Sequence, residues 1–379
     1  MQHHIDFIYF DAGGGHRAAA TALKQVIESE QRPWRVRLVH LQEVLSSIDI
    51  FRKITGVDLQ ELYNILLRRG WTLGSEQMLR LMQSVLRLYH KETVSLLMDF
   101  WKSGPPDMVV SLVPNFNRAL YQAFGKVRPG RPMVTILTDM ADYPPHFWIE
   151  RQKQYFICGS DRAVQQARSL GHHADRVFRV SGMILRPKFY EPLTHNRSAE
   201  RVKLGLDPAK LTGVVLFGGY GSRLILKILD KLEESDLDVQ LIALIGRNEK
   251  LKARLLERSR RIPIHVEGFT TEIPYFMHLG DFFIGKPGPG SISEAVQMGL
   301  PVITTRNRTT LPQERYNTEW VEQHNAGIII PSFSYIAAAI RDLTNNGRLA
   351  KARAAVAKLE NRAVFEIPPL LERILHSSK

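Results

Sequence analysis

The chain twice repeats one local pattern: a short apolar run, a cluster of glycines, then the start of a helix. The first run is Ile5–Phe10, followed by Asp11-Ala12-Gly13-Gly14-Gly15-His16 and the alanine-rich Arg17-Ala18-Ala19-Ala20. The second is Val214–Phe217, followed by Gly218-Gly219-Tyr220-Gly221-Ser222. A strand, a glycine turn and a helix start leave backbone N–H groups pointing outward at the positive end of a helix dipole. That arrangement suits a phosphate. One such turn is a weak signal. Two, each opening its own series of strands and helices, predict twin α/β domains with a ligand held between them.

The rest of the chain fits that plan. Strands are expected at Ile5–Phe10, Val36–His40, Met108–Val113, Met133–Thr138, Tyr155–Cys158 and Val177–Val180. A second series is expected at Val214–Phe217, Val239–Ile245, Ile264–Glu267, Asp281–Ile284, Val302–Thr305 and Gly327–Ile330. Most are continuous apolar runs rather than alternating ones, as in parallel strands covered on both faces. Helical patterns separate many of them, so the expected class is α/β, two Rossmann-like doubly wound units in series. For 379 residues two domains are the natural division. The boundary is placed within Arg186–Glu200, which carries Pro187 and Pro192, giving domains 1–187 and 188–379.

One stretch, about 45–103, contains no convincing strand and reads as a helical insert. Met78, Leu81, Met82, Val85, Leu88 and Tyr89 fall at helical spacing, with Arg80, Gln83, Ser84 and Arg87 elsewhere. Arg52, Lys53, Arg68, Arg69 and Lys91 add charge, and Phe51, Trp71 and Trp101 add aromatic area. Such an insert either packs on its own sheet or docks on a bilayer or an apolar substrate. The net charge of +13 and pI near 9.8 bear on the second reading. The excess is spread along the chain: 25 basic less 17 acidic residues, or +8, up to residue 190, and 26 less 21, or +5, beyond it. An anionic membrane, an anionic small molecule and nucleic acid would all be attracted, and charge alone does not choose among them. The single cysteine, Cys158, excludes an intramolecular disulfide and fits a reducing cytosol. No secretory leader is visible, and no apolar run reaches the length of a membrane span. A soluble or peripheral protein is expected.

Several constellations carry chemistry. His16 stands at a helix start, where it is placed either to contact phosphate or to act as a general base near neutral pH. Gly280 and Gly285-Lys286 have Walker A spacing, but Pro287 replaces the required Ser or Thr and the intervening residues read as a strand. The stretch Gly285-Lys286-Pro287-Gly288-Pro289-Gly290-Ser291 is instead a glycine-rich lead into a helix, with Ser291 expected as its N-cap. Glu294 then either closes a capping box with Ser291 or accepts hydrogen bonds from ribose hydroxyls. Thr138-Asp139 and Gln313-Glu314 each follow a strand and place polar groups at the carboxyl edge of a sheet, with His146 shortly after the first pair. No metal site stands out, because His3-His4 and His172-His173 are adjacent pairs without partners. Asp236-Leu237-Asp238 precedes a strand, at the wrong end of a sheet for a ligand, and reads as a solvated turn.

Taken together these stretches resemble the GT-B glycosyltransferases that make glycosyl-diacylglycerols, the monogalactosyldiacylglycerol synthases and the bacterial diacylglycerol glucosyltransferases (glycosyltransferase family 28-like). The peptidoglycan transferase acting on lipid I is a more distant relative. The matching segments are Asp11–Ala20, Thr138-Asp139, Leu216–Gly221, Ile245-Gly246-Arg247-Asn248, Gly268-Phe269-Thr270, Lys286–Ala295 and Pro312-Gln313-Glu314, in the family's order. The resemblance implies two domains facing a cleft, with a UDP-sugar donor on the second. Gly218, Gly219 and Gly221 would approach the diphosphate. Arg247, Gly268, Phe269 and Thr270 would line the uracil, and Gly288, Gly290 and Ser291 belong to the same donor site. Glu294 would take the ribose hydroxyls, and Gln313 and Glu314 the sugar. The first domain would hold the acceptor, with the Gly13, Gly14, Gly15 and His16 loop beside the reacting centre. Two departures stand out: relatives place a histidine closer to the aspartate than His146 lies to Asp139, and Tyr220 stands where glycine is common.

The expected function is an inverting transfer of hexose from UDP-galactose or UDP-glucose to a membrane lipid, diacylglycerol above all. His16 is the first candidate base and Asp139 the second. No cofactor and no metal are expected, because glycine amides and helix dipoles would stabilise the departing UDP. The expected setting is an anionic membrane surface on the cytoplasmic face, with no nucleic-acid partner. The alternatives are a nucleotide-sugar epimerase of the same fold and a non-catalytic membrane-binding protein.

Overall fold

The computed structural model describes residues 2–11, 15–46, 83, 84, 86–143, 146–219, 221–257 and 261–377. Twelve strands form two six-stranded sheets in which every neighbouring pair is parallel. In the first unit β1 (His3–Tyr9), β2 (Trp34–His40), β3 (Met108–Ser111), β4 (Met133–Ile136), β5 (Tyr155–Cys158) and β6 (Val177–Arg179) lie in the order β2-β1-β3-β4-β5-β6. In the second, β7 (Leu211–Leu216), β8 (Val239–Leu244), β9 (Ile264–Glu267), β10 (Phe282–Gly285), β11 (Val302–Thr305) and β12 (Gly327–Ile330) lie in the order β12-β11-β10-β7-β8-β9. All twelve coincide with the runs expected from sequence to within a few residues. The reason is visible in β3, β4, β8 and β10, whose residues are buried without exception because helices cover both sheet faces. At the edge, β2 alternates instead, with Trp34 and Val36 buried and Arg35 and Arg37 exposed. Charged side chains on an edge strand discourage pairing with another chain.

The helices that matter below are α1 (Gly15–Ser29), α2 (His90–Lys102), α3 (Asn117–Val127), α4 (Asp161–Ser169), α5 (Pro289–Gln297), α6 (Arg315–Gln323) and α7 (Ala363–Ser377). The chain divides at Pro187/Lys188, but Leu311–Gln313 and Asn361–Lys379 group with the first unit. The second unit therefore stops short of the expected 188–379. Helix α7 buries Val364, Ile367, Leu371, Ile374 and Leu375, a stripe at helical spacing that has to find a covering surface. It finds one in the first unit, beside α1. Glu372 pairs with Arg32 at 2.8 Å, and Glu366 accepts the Ser181 N–H at 2.7 Å. Asn361 Nδ2 donates to the Met183 carbonyl at 3.0 Å.

Most of the expected helical insert lies outside the described residues, including Arg52, Lys53, Arg68, Arg69, Trp71, Met78, Arg80, Leu81, Met82 and Val85. Its C-terminal end is described and packs on the sheet. Trp101, considered above as a membrane-facing side chain, is fully buried in α2 against Phe124. Its indole N–H donates to Asp6 Oδ2 at 2.9 Å. Asp6, a carboxylate inside β1, also takes two guanidinium bonds from Arg37 at 2.8 and 2.6 Å. Leu88, by contrast, is 74% exposed, and Arg87 and Lys91 are exposed. No described helix is long and apolar enough to cross a membrane.

The second unit carries its own buried polar anchor. Asp281 lies just before β10, and its carboxylate is buried. It receives Arg197 and Arg201 at 2.8 Å each, Arg353 at 2.7 Å and the Thr212 N–H at 2.8 Å. Burial alone would push its carboxyl pKa up, but these cations and the amide outweigh burial and hold it below the usual carboxylate range. Removing one partner of a buried pair leaves the other charge uncompensated, at a cost of roughly 3–5 kcal/mol. Asp281→Asn should therefore destabilise the second unit by about that amount in denaturant unfolding. A loss below about 1 kcal/mol would show that the arginines are hydrated well enough to stand alone.

Candidate active site

In the first unit the sheet reverses its winding between β1 and β3, and ligand sites of such sheets open at the carboxyl ends of the strands there. The turn after β1 leads directly to that edge. Gly13 and Gly14 lie outside the described residues. Gly15 opens α1, and a Cβ built on it would meet nothing within 4 Å, so packing does not demand glycine there. Arg17 reaches back across the turn to Asp11 at 3.1 Å.

His16, in the first turn of α1, is half-buried. Its Nδ1 lies 2.9 Å from Thr138 Oγ1, just past β4, and its ring also bonds to the backbone of Leu112, just past β3. Three strand ends thus converge on one imidazole. Burial pushes the His16 pKa down to about 4, with the Leu112 bond acting weakly the other way. At neutral pH the ring is an uncharged proton acceptor. The adjacent Asp139 receives the Trp148 indole N–H at 2.8 Å. The Trp148 ring lies 5.8 Å from the His16 ring, tilted by 46°. The two candidate bases expected from sequence therefore belong to one constellation, linked by a tryptophan that no motif singled out. His146 does not join it. It is exposed on a turn with φ +53°.

Two further carboxyls of this region are titratable near neutrality. Asp142 is pushed up to about 6 and Glu150 to about 7, in both cases by burial first and against backbone hydrogen bonds. Glu150 Oε2 accepts the Arg118 N–H at the start of α3 at 2.7 Å.

The second unit gathers the sequence-predicted donor residues at the carboxyl edge of its own sheet. Gly218 and Gly221 adopt φ of +79° and +60°. A Cβ on Gly221 would sit 2.5 Å from the Ile245 carbonyl oxygen, and one on Gly246 2.1 Å from that of Gly219. Those glycines let the loop after β7 press against the loop after β8, where the Arg247 N–H donates to Gly219 at 3.0 Å. Gly219, by contrast, faces open space. Arg247 lies over the Phe269 ring, 4.4 Å from its centre, and Phe269 is 59% exposed. An exposed aromatic ring backed by a guanidinium offers a flat face for stacking. Gly268 N–H donates to Glu267, and Thr270 Oγ1 accepts the Glu272 N–H, so both shape the turn beneath Phe269.

The Lys286 loop departs from expectation at one point. Helix α5 begins at Pro289 with Gly288 as its N-cap, and Ser291 Oγ donates to the Gly288 carbonyl at 3.2 Å. Ser291 is therefore not the cap, and the capping box with Glu294 does not form. The cause is Pro289, whose fixed φ and missing N–H suit the first helical position. Gly290 meets nothing within 4 Å. Glu294 lies half-buried within α5. Lys286 Nζ pairs with Glu314 Oε1 at 3.3 Å, and Glu314 is 8% exposed. Asn317 Nδ2, from α6, ties down the Pro287 carbonyl at 2.7 Å. Gln313 and Glu314 share one short 3₁₀ turn, Pro312–Glu314, directly before α6. The Asp236-Leu237-Asp238 turn is taken up by Arg341 and by Lys210, whose Nζ is 2.7 Å from Asp238.

Comparison with known proteins adds identity to this geometry. Residues 214–366 match the Glycosyltransferase family 28 C-terminal domain. Monogalactosyldiacylglycerol synthase 3 of Arabidopsis thaliana is 27% identical over 94% of this chain and 78% of its own length. The crystal structure of MurG from Acinetobacter baumannii superposes with a TM-score of 0.63 at 11% identity, covering 98% of this chain and 99% of that one. Anabaena HepE, solved in complex with UDP-glucose, superposes with a TM-score of 0.54 at 17% identity, covering 99% and 100%. The solved structures give the fold, GT-B. The sequence matches support a family 28-like glycosyltransferase.

The depressed His16 pKa has a sign that can be tested. Between pH 6.5 and about 4 the unfolded chain binds a proton that the folded chain refuses. The stability this residue contributes is complete above that window and is lost as pH falls through it. In an NMR titration the His16 ring signals should move with a midpoint near pH 4, against 6.5 for a free imidazole. A midpoint of 6 or above would mean that the imidazole is hydrated.

Proposed function

We propose that this family 28-like GT-B glycosyltransferase moves a hexose from UDP-galactose or UDP-glucose to a lipid hydroxyl, with diacylglycerol as acceptor and inversion at the anomeric carbon. One observation carries the reading: the neutral His16 imidazole, beside Asp139, sits in a chain that a galactolipid synthase matches over 94% of its length. In this reading the acceptor oxygen forms a bond to the anomeric carbon as the bond to UDP breaks. The hydroxyl proton passes to His16, and the electron pair leaves with the diphosphate. Because the lone pair of a neutral imidazole is free of a proton at pH 7, His16 is ready to accept one.

The second unit supplies the donor side. Gly218 and Gly219 bring backbone N–H groups near the diphosphate, and the N-terminus of α5 adds its dipole. Phe269, backed by Arg247, stacks on the uracil, and Glu294 takes the ribose hydroxyls. Glu314, held by Lys286, faces the sugar. The leaving charge is met by these groups, and no metal or further cofactor is proposed. The basic excess of the chain and the exposed Arg87, Leu88 and Lys91 fit work at an anionic membrane on the cytoplasmic face.

Radiolabelled UDP-galactose and UDP-glucose, offered with liposomes containing diacylglycerol and anionic lipid, should label the lipid fraction. Labelled free sugar, or an epimerised sugar nucleotide with no labelled lipid, would overturn the proposal. His16→Ala should lower turnover by about 10²–10⁴ with UDP affinity retained, the usual loss when a general base is removed. A change of only a few-fold would take the base role from His16.

Glu294 gives an independent handle. Glu294→Ala should weaken UDP binding in calorimetry while the thermal midpoint stays nearly constant. A lowered midpoint with unchanged UDP affinity would make Glu294 a structural residue only.

A further inference from the structure

We propose that Trp148 is the positioning residue of the transfer site: its indole N–H holds the Asp139 carboxylate while its ring lies against the His16 imidazole, so that both groups are placed by one side chain. The inference rests on the proposed transfer reaction and names a residue that neither the spacing of motifs nor that reading requires.

The geometry argues for placement rather than mere filling of the core. Trp148 is fully buried, and every polar group it owns is engaged. Its backbone N–H donates to Asp142 Oδ1 at 2.6 Å, and its carbonyl accepts Asn117 Nδ2 at 3.1 Å. Its indole N–H goes to Asp139 Oδ2 at 2.8 Å. A backbone pinned on both sides leaves the indole little freedom to drift.

The pins themselves lead back to the sheet. Asn117, fully buried, also donates to the Val113 carbonyl at 3.1 Å and accepts the Thr135 hydroxyl at 3.2 Å. Thr135 lies within β4 and accepts Gln154 Nε2 at 2.7 Å. Asp142 is clamped in turn by Gln166 of α4, which accepts its N–H and donates to its carbonyl, both at 2.8 Å. Gln154 Oε1 has no hydrogen-bond partner, but the bonds named here stiffen the network, because breaking any of them would leave a further polar group unpaired in a poor solvent. The position of the sheet is thus transmitted through Asn117 and Asp142 to Trp148, and from Trp148 to Asp139 and His16. A buried indole needs only one acceptor to be satisfied. Here that acceptor is the carboxylate of Asp139, next to the Thr138 hydroxyl that bonds His16. A displacement of about 1 Å in a reacting group costs roughly 10²-fold in rate, so such a holder matters to turnover more than to binding.

The test uses the full chain with Trp148→Phe, Asp139→Asn and the double variant. Phenylalanine keeps an aromatic ring in the core and removes only the N–H and the second ring. Two readouts are taken. The first does not depend on activity: in ¹⁵N spectra the Trp148 indole signal should shift in Asp139→Asn, and the His16 ring signals should shift in Trp148→Phe. The second is hexose transfer from labelled UDP-sugar to diacylglycerol in liposomes. Trp148→Phe should lower kcat by about 10-fold or more with KM for the UDP-sugar within about twofold. The double variant should be little worse than Asp139→Asn, since residues acting as one unit are not additive. An unmoved indole signal in Asp139→Asn would overturn the proposal, as would kcat retained within twofold in Trp148→Phe or losses that simply multiply. If Trp148→Phe fails to fold, the indole signal in Asp139→Asn decides alone. If the wild-type chain labels no lipid, the transfer reading fails, and the spectra still decide whether Trp148 places Asp139 and His16.

Discussion

Parallel pairing is the constraint on which both units depend. Parallel strands cannot be joined by a hairpin, so each needs a crossover, and every strand then delivers its carboxyl end to the same edge of the sheet. Where the winding reverses, neighbouring crossovers leave on opposite faces and the strand ends stay uncovered. The reversals lie between β1 and β3 in the first unit and between β7 and β10 in the second. The residues that follow those four strands include those assigned chemistry in the proposed reading: His16 after β1, Gly218 and Gly219 after β7, and Lys286 to Gly288 after β10, with Leu112 after β3 beside His16. Backbone groups that the sheet leaves unpaired are the raw material of a phosphate site.

Apolar burial supplies the cohesion of each sheet, but it does not fix the loops. That is done by a few buried polar side chains. Asn117 and Thr135 set the strand ends of the first unit. Asn317 and the Lys286–Glu314 pair set the glycine loop of the second. Asp281 with its three arginines fixes the opposite end of β10. These groups are costly to bury unless each is satisfied, so they tolerate few alternative arrangements. The hydrophobic effect, being non-directional, cannot provide that selectivity.

The strands were legible because each is a buried apolar run bounded by turn residues, and the doubly wound architecture follows from their alternation with helices. Local signals that compete were harder to weigh. Ser291-x-x-Glu294 satisfies the capping-box pattern, yet Pro289 two residues earlier takes the first helical position and Gly288 becomes the cap. Gly221 was legible as a special position, but the cause at Gly221 and Gly246 alike is the approach of two loops of the chain. The apolar stripe of α7 marks a helix, while its destination in the first unit depends on packing across the whole sequence. Trp101 carries no sign in sequence of whether it faces a lipid or Phe124. Trp148 lies in the segment after Asp139, but no sequence pattern marks the bond between them.

The first unit also shows how burial sets the charge of an imidazole. Desolvation lowers the His16 pKa and so ensures that the ring is unprotonated at neutral pH, at some loss of proton affinity. In the proposed displacement that loss is tolerable, because an attacking hydroxyl becomes acidic only as its oxygen bonds to the anomeric carbon. The imidazolium that then forms needs a nearby anion more than it needs a high resting pKa. Asp139, one residue after the threonine that bonds His16, is the carboxylate in place. An ionised Asp139 would favour the protonated ring in the transition state without protonating it in the resting enzyme. The roles of the two candidates are then not rival but successive. In the proposed displacement His16 receives the proton, Asp139 stabilises the resulting charge, and the tryptophan between them keeps both in register.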